Sequence, residues 1–337
     1  MYRGKRLLSA AVVLAHLSFN VLPTHAFPQD VSIGKPPSED EHSPARDVGA
    51  HHIIRECINT TSADGTFYIK SSGDGSSETC GLYLFSDANN IIEVQLNYVN
   101  VPCHTGGRVA LVDGWEMMGE LWPSPSDHGR PVEERTVELC GTAPPPRPFV
   151  SEQNAVLLQY RLPAAGSALS VRVRHLPNPR PCNQLMDGTT EVFSLRNFGQ
   201  RRNCTLFSMS PVEVQVLPFR VGAPLSGGGR RTRAALTSTK CARRGWPDFV
   251  ELGEATGLDT DRSAAVSRRL CGISSSAGPP ESVCGMFVSR LVSSGLFDNH
   301  VLVRARLLPF QQMLSLCAAD YGLDDQQLEE SLKDYSW

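Results

Sequence analysis

Ten cysteines set the terms on which this 337-residue chain can fold. They stand at Cys57, Cys80, Cys103, Cys140, Cys182, Cys204, Cys241, Cys271, Cys284 and Cys317. An even number of thiols behind an export segment reads as five disulfides, because the export route is oxidising. That segment is expected over residues 1–26, a signal peptide. Arg3, Lys5 and Arg6 precede an apolar stretch over 7–21, and Thr24-His25-Ala26 supplies a small-residue cleavage site. Zinc would call for close C-x-x-C pairs, which the spacing lacks, and His104, beside Cys103, has no second ligand near it in sequence.

What lies between the cysteines favours strands over helices. The chain carries 24 prolines and 28 glycines, with short β-branched runs set between them. Strand-like runs fall at 66–71, 81–86, 91–101, 108–112, 154–162 and 169–175. In the third, Ile92, Val94, Leu96 and Tyr98 alternate with Glu93, Gln95 and Asn97, which predicts a strand burying the first four on one face. A second set follows at 190–195, 205–209, 212–219, 248–254, 286–292 and 301–308.

The second set repeats the first. Glu93-Val94-Gln95-Leu96 returns as Glu213-Val214-Gln215-Val216, each followed by an aromatic residue, Tyr98 or Phe219. The alternation of apolar residues with Arg172 and Arg174 returns with Arg304 and Arg306. A period of about 125 residues suits a duplicated sandwich domain. The cysteines follow the same duplication, so matching bridges are expected in each half. The simplest solution is sequential: 57 with 80, 103 with 140, 182 with 204, 241 with 271, and 284 with 317 as an added clasp on the second half.

The expected organisation is therefore a signal peptide at 1–26, a polar leader at 27–50, a first sandwich at 51–177, a second at 178–317 and an acidic tail at 318–337. Pro177, Pro179 and Pro181 make a short stiff connector between the halves. The loop 227–233 carries the dibasic pair Arg230-Arg231, open to nicking by trypsin-like proteases.

Charge and motifs narrow the function classes. The formal net charge is −3, and loss of residues 1–26 takes away three basic residues and no acids, leaving about −6. No nucleic-acid partner is implied. No stretch has the roughly 18 unbroken apolar residues of a membrane span, so a released protein is expected. G-x-S-x-G, H-E-x-x-H and the phosphate-loop pattern are all missing from the sequence, and an enzyme is not expected. The adjacent His51 and His52 read as exposed imidazoles. Asn59-Thr60-Thr61 and Asn203-Cys204-Thr205 are N-glycosylation acceptors in an exported chain.

Several ordered runs belong together. In the first half these are Gly106-Gly107, Asp113-Gly114-Trp115, Gly119-Glu120, Pro123-Ser124, Asp127-His128 and Cys140. In the second they are Pro181-Cys182-Asn183, Asn203-Cys204, Asp248-Phe249-Val250-Glu251-Leu252, Thr256-Gly257-Leu258-Asp259, Leu270-Cys271 and Val292-Ser293-Ser294-Gly295. In these runs the chain resembles one family, the corticotropin-releasing factor-binding proteins. The resemblance implies an all-β fold of two tandem CUB-like jelly-roll sandwiches with consecutive disulfides. It also implies a secreted monomer, without cofactor, that sequesters a peptide hormone of the corticotropin-releasing factor, urocortin or diuretic-hormone type and withholds it from its G-protein-coupled receptor.

The family's binding segment is expected around the first cysteine, with a basic residue four places before it and an acid two after. Here those places hold Ile53 and Asn59, and the nearest basic residue is Arg55. Ile53, Arg55 and Asn59 are accordingly the candidate peptide contacts, in a setting that departs from the family pattern. An amphipathic hormone helix would seek an apolar groove or an exposed sheet face with a charged rim. The long-range field of an acidic chain would favour a basic peptide. A calcium-dependent CUB-type interaction module is the alternative, resting on Asp113, Asp248 and Glu251. Gly253 stands where a second loop acid would be needed, and Val109 matches Asp248 in the first half. A polymerising matrix protein is a further alternative, disfavoured by two halves and even cysteine pairing.

Overall fold

In the computed structural model, residues 50–75, 78–223, 241 and 247–318 are described. The expected signal peptide, most of the leader, the 227–233 loop and the acidic tail beyond Ala318 lie outside them. The described residues fall in one compact unit.

The first half builds twelve strands: β1 (His51–Ile54), β2 (Ile58–Thr61), β3 (Gly65–Lys70), β4 (Cys80–Phe85), β5 (Asn90–Asn100), β6 (Arg108–Asp113), β7 (Trp115–Met117), β8 (Glu120–Trp122), β9 (Thr136–Leu139), β10 (Phe149–Val150), β11 (Ala155–Arg161) and β12 (Ala168–Pro177). Ten of them form two five-stranded sheets, ordered β1-β3-β12-β5-β10 and β2-β4-β11-β6-β9, while β7 and β8 make a separate hairpin. Alternation puts Phe67, Ile69, Ile92, Val94, Val171 and Val173 of one sheet against Leu82, Leu84, Val109, Leu111, Val156 and Leu158 of the other, all in one buried cluster.

The second half repeats the plan with β13 (Gln184–Leu185), β14 (Val192–Arg196), β15 (Cys204–Ser208), β16 (Val212–Val221), β17 (Phe249–Ala255), β18 (Ala264–Leu270), β19 (Gly272–Ser274), β20 (Glu281–Val283), β21 (Met286–Val292) and β22 (His300–Leu307). Its sheets run β13-β15-β21-β17-β18 and β14-β22-β16-β19, with β20 also paired to β16. Strand for strand, β3, β12 and β5 correspond to β14, β22 and β16. The repeated motifs make the same cross-strand ion pair in both sandwiches, Glu93 with Arg174 and Glu213 with Arg306. Among the described residues, two α-helices accompany the sheets, α1 (Thr260–Ser263) and α2 (Phe310–Cys317). All five disulfides join sequential partners, as the duplication predicts.

Two sequence expectations are corrected here. Tyr98 does not share the buried face of Ile92, Val94 and Leu96. The β5–β12 register shifts by one residue between Val171 and Ser170, so Asn97 is the extra residue of a bulge and Tyr98 turns outward, 51% exposed. For the same reason Phe219 is not its counterpart. Phe219 pairs with Val301 as Val99 pairs with Leu169, and both face the core. The edge strands β1 and β2, β18 and helix α2 also fall outside the runs read from sequence. Short edge strands carry too few alternating residues to show a period.

The two sandwiches share a buried junction that the sequence did not announce. Phe85, Val112, Trp115, Trp122 and Leu157 of the first pack with Leu185, Phe207, Ala255, Leu258 and Val288 of the second. Trp122 stacks on Phe207 at 6.2 Å between ring centroids. Beside this apolar seam, the buried Asp127 carboxylate accepts bonds from Arg290 Nε (2.9 Å), Thr205 Oγ1 (2.8 Å) and Asn203 Nδ2 (3.0 Å). Asn154 Nδ2 donates to the Leu185 carbonyl while its Oδ1 accepts from the Leu185 N–H, both at 2.8 Å. Burial works against the charge of Arg290, yet its bonds to Asp127 and the nearby Asp261 and Glu251 carry its pKa above the ordinary guanidinium value.

Candidate functional site

The three candidate contact residues occupy the edge of the first sandwich beside the Cys57–Cys80 bridge, but not one common face. Ile53 lies on β1, in register with Tyr68 of β3, and points outward with 63% exposure. Arg55 follows β1, is exposed, and lines a cleft of about 220 Å³ with Lys70, Glu78 and Tyr160. Asn59 sits on β2 in register with Leu82, whose side chain belongs to the core, so Asn59 takes the inward face of the other sheet and is half-buried. The chain passes from one sheet to the other between Ile54 and Ile58, and this crossing separates Ile53 from Asn59. Burial pushes the phenol of Tyr160, at the cleft, up to about 12.

The outer face of the β1-β3-β12-β5 sheet carries residues that the sequence reading did not single out. In one cross-strand row stand Ile53, Tyr68, Ser170 and Tyr98, with Tyr68 42% exposed and Ser170 buried between the two tyrosines. The Tyr68 hydroxyl lies 3.2 Å from His51 Nδ1. Lys70, Arg172 and Arg174 share this face, with Glu93 as their carboxylate counterpart. The sequence does hold a clue to Tyr68, which shares the parity of Thr66 and Lys70 rather than that of Phe67 and Ile69. Tyr98 was hidden by the bulge.

The corresponding face of the second sandwich is different. Ser194 stands where the first has Tyr68, and Leu217-Pro218 stand where it has Asn97-Tyr98. Among the described residues, no strand there corresponds to β1. That face is dressed instead with Arg306–Glu213 and with Arg304 donating to Gln215.

The carboxylates of the calcium alternative are already engaged. Asp113 accepts from Gln153 Nε2 (2.6 Å) and the Glu152 N–H (3.0 Å), with Arg130 at 3.5 Å. Asp248 accepts from the Ser294 N–H and Asn299 Nδ2, and Glu251 pairs with Arg269. Among the described residues no group of three or more His, Cys, Asp or Glu could hold a metal ion. His52 stacks on Phe67 at 4.6 Å. The sequon residue Asn203 lines a cleft of about 610 Å³ at the junction, and its Oδ1 accepts from the Ser293 N–H. Among the described residues, no helix is long and apolar enough to cross a membrane.

Comparison with known proteins bears on both sandwiches. Residues 50–177 match the family described as corticotropin-releasing factor binding protein N-terminal domain, and residues 186–314 match the corresponding C-terminal domain. The corticotropin-releasing factor-binding protein of Ovis aries is 28% identical over 269 residues, covering 79% of this chain and 80% of the relative. That of Homo sapiens is 27% identical over 252 residues, covering 75% of each. Among solved structures, the CUB1-EGF-CUB2 domain of human MASP-1/3 overlays 72% of this chain and 99% of its own at 10% identity, with a TM-score of 0.24, too loose to carry an argument. With both family domains matched in order along most of its length, the chain belongs to the corticotropin-releasing factor binding protein family.

Proposed function

We propose that this protein is secreted and captures a peptide hormone of the corticotropin-releasing factor, urocortin or diuretic-hormone type, controlling how much of it reaches a G-protein-coupled receptor. The observation that carries this reading is the family match through both sandwiches, to relatives named for binding corticotropin-releasing factor. The shared junction supports it, because a pre-ordered surface loses less conformational entropy when it takes up a flexible peptide. The protein acts by binding and not by catalysis, as a monomer, without cofactor, nucleic acid or membrane anchor. Its functional division is a first sandwich at 51–177 and a second at 178–317.

Ile53, Arg55 and Asn59 are the proposed peptide contacts from the segment around Cys57. Ile53 offers apolar area and Arg55 a charge at the cleft rim, and Asn59 reaches the ligand only if the ligand wraps the sandwich edge. Asn59 and Asn203 are proposed glycan acceptors. A sugar on Asn59 would restrict that edge, and one on Asn203 would sit over the junction cleft and replace one of the two hydrogens that the amide gives to Asp127 and to the Ser126 carbonyl. Isothermal titration of the full secreted chain with corticotropin-releasing factor tests the reading. One-to-one saturable heat is expected, and no heat together with no competition against a labelled peptide would overturn it.

A further inference from the structure

We propose that Asn203 takes an N-linked sugar only before the two sandwiches close on each other, so that modification and completion of the junction compete for one side-chain amide, whereas Asn59 stays open to modification after folding. This rests on the acceptor reading above and adds to it the state of the chain that is modified.

The chemistry sets what must be reachable. Transfer breaks the bond between the anomeric carbon of an oligosaccharide and the pyrophosphate of its lipid carrier, and forms a bond from that carbon to the Asn nitrogen. The amide gives up one proton and the lipid pyrophosphate leaves. The acceptor tripeptide is read through the Asn amide and the hydroxyl two residues on, so both must be exposed together.

In the folded chain both are occupied. Asn203 Nδ2 donates to Asp127 Oδ1 at 3.0 Å and to the Ser126 carbonyl at 3.3 Å, which spends both of its hydrogens on the first sandwich, while its Oδ1 accepts from the Ser293 N–H at 3.2 Å. Thr205 is fully buried, its hydroxyl donating to Asp127 Oδ2 at 2.8 Å and its N–H to Asn183 Oδ1 at 3.0 Å. Between them Cys204 is buried in its bridge to Cys182. The tripeptide is thus held shut by Asp127, a residue of the other sandwich.

The order of the chain leaves a window. Asp127 is clamped by Arg290, which stands opposite Thr205 where β21 pairs with β15. Domains fold as units, the N-terminal one first during synthesis. When Asn203 emerges the first sandwich is complete, but Arg290 and β21 have still to be made, so the hub cannot close. The other acceptor has no such tie. Asn59 lies on edge strand β2, which pairs with β4 alone, and the neighbouring Thr60 is exposed. A sugar already on Asn203 leaves the junction with one amide hydrogen fewer, so modified and unmodified chains carry different junctions.

The test uses the full chain without sugar, made in a bacterial periplasm with its five bridges verified by peptide mapping, beside the same chain reduced and unfolded. Each is incubated with oligosaccharyltransferase and lipid-linked oligosaccharide, and occupancy at each Asn is followed by mass spectrometry. Unfolding should speed transfer to Asn203 by about ten-fold or more, and by a larger factor than at Asn59. A factor at Asn203 no larger than that at Asn59 would overturn the timing while leaving both acceptors standing. No transfer to Asn203 even in the unfolded chain would overturn the acceptor reading, and the timing with it. Should the sugar-free chain fail to fold, the secreted, modified chain decides. Peptide N-glycosidase should release the Asn203 sugar about ten-fold or more slowly before unfolding than after it, and equal rates would overturn the proposal.

Discussion

Arg135 gives its guanidinium to carbonyl oxygens. Nε and Nη2 donate to Asp113 O at 3.1 and 2.8 Å and Nη1 to Pro123 O at 2.8 Å, in a fully buried setting. Burial lowers its pKa to about 10, against the opposing fields of Asp113 and Glu152. Replacing it with Met leaves those carbonyls unpaired and should cost about 3 kcal/mol in urea unfolding. Gly114, in contact with the same guanidinium, has φ +109, and a Cβ there would lie 2.1 Å from the Trp122 carbonyl oxygen. Gly114→Ala should therefore lose about 3 kcal/mol or more. Tyr160 predicts an alkaline effect. Its folded pKa of about 12 stands above the ordinary value of 10.0, so between those values the unfolded chain holds fewer protons. Its contribution, complete below pH 10, is lost as pH rises toward 12. Tyr160→Phe should flatten the fall in urea midpoint between pH 9 and pH 11, and an unchanged slope would contradict the assignment.

Among the elements, helix α2 is too short to be stable alone. It is held by Met313, Leu314 and Cys317 packing with Leu308 and Cys284, and by the Cys284–Cys317 bond. The Cys284→Ser, Cys317→Ser double variant should lose hydrogen-exchange protection over 310–317 while the strands keep theirs. Global destabilisation of both sandwiches would refute that local role. The strands were legible in the sequence where alternation ran long, as in Ile92, Val94 and Leu96. Legibility failed at Asn97, where one inserted residue reverses the parity of all that follows and no composition signal marks the insertion. Ile53, Arg55 and Asn59 were reached through a family resemblance, and the crossing between sheets that separates Ile53 from Asn59 cannot be seen in linear spacing.

For the molecule as a whole, duplication and disulfide pairing could be read from cysteine order and repeated motifs, but the junction could not. Phe85, Trp122, Leu185 and Phe207 look like ordinary core residues in sequence, and only tertiary structure shows that they serve both sandwiches. The polar hub at Asp127 makes the expectation of coupled unfolding specific. Calorimetry should give one transition for both sandwiches. Asp127→Ala should lower it by about 3–5 kcal/mol, since Arg290 is left buried without its main partner. Two well-separated transitions in the parent protein would show the junction to be energetically minor.

The alternation of the strands has a consequence for descent as well as for binding. On β3, Phe67 and Ile69 answer to the interior while Tyr68 between them answers only to what lies outside. Inheritance can therefore rewrite the outward residues of one copy without disturbing the inward ones. A duplicated ancestor could thus keep two nearly identical frameworks while giving one copy a new exterior and leaving the other to brace it.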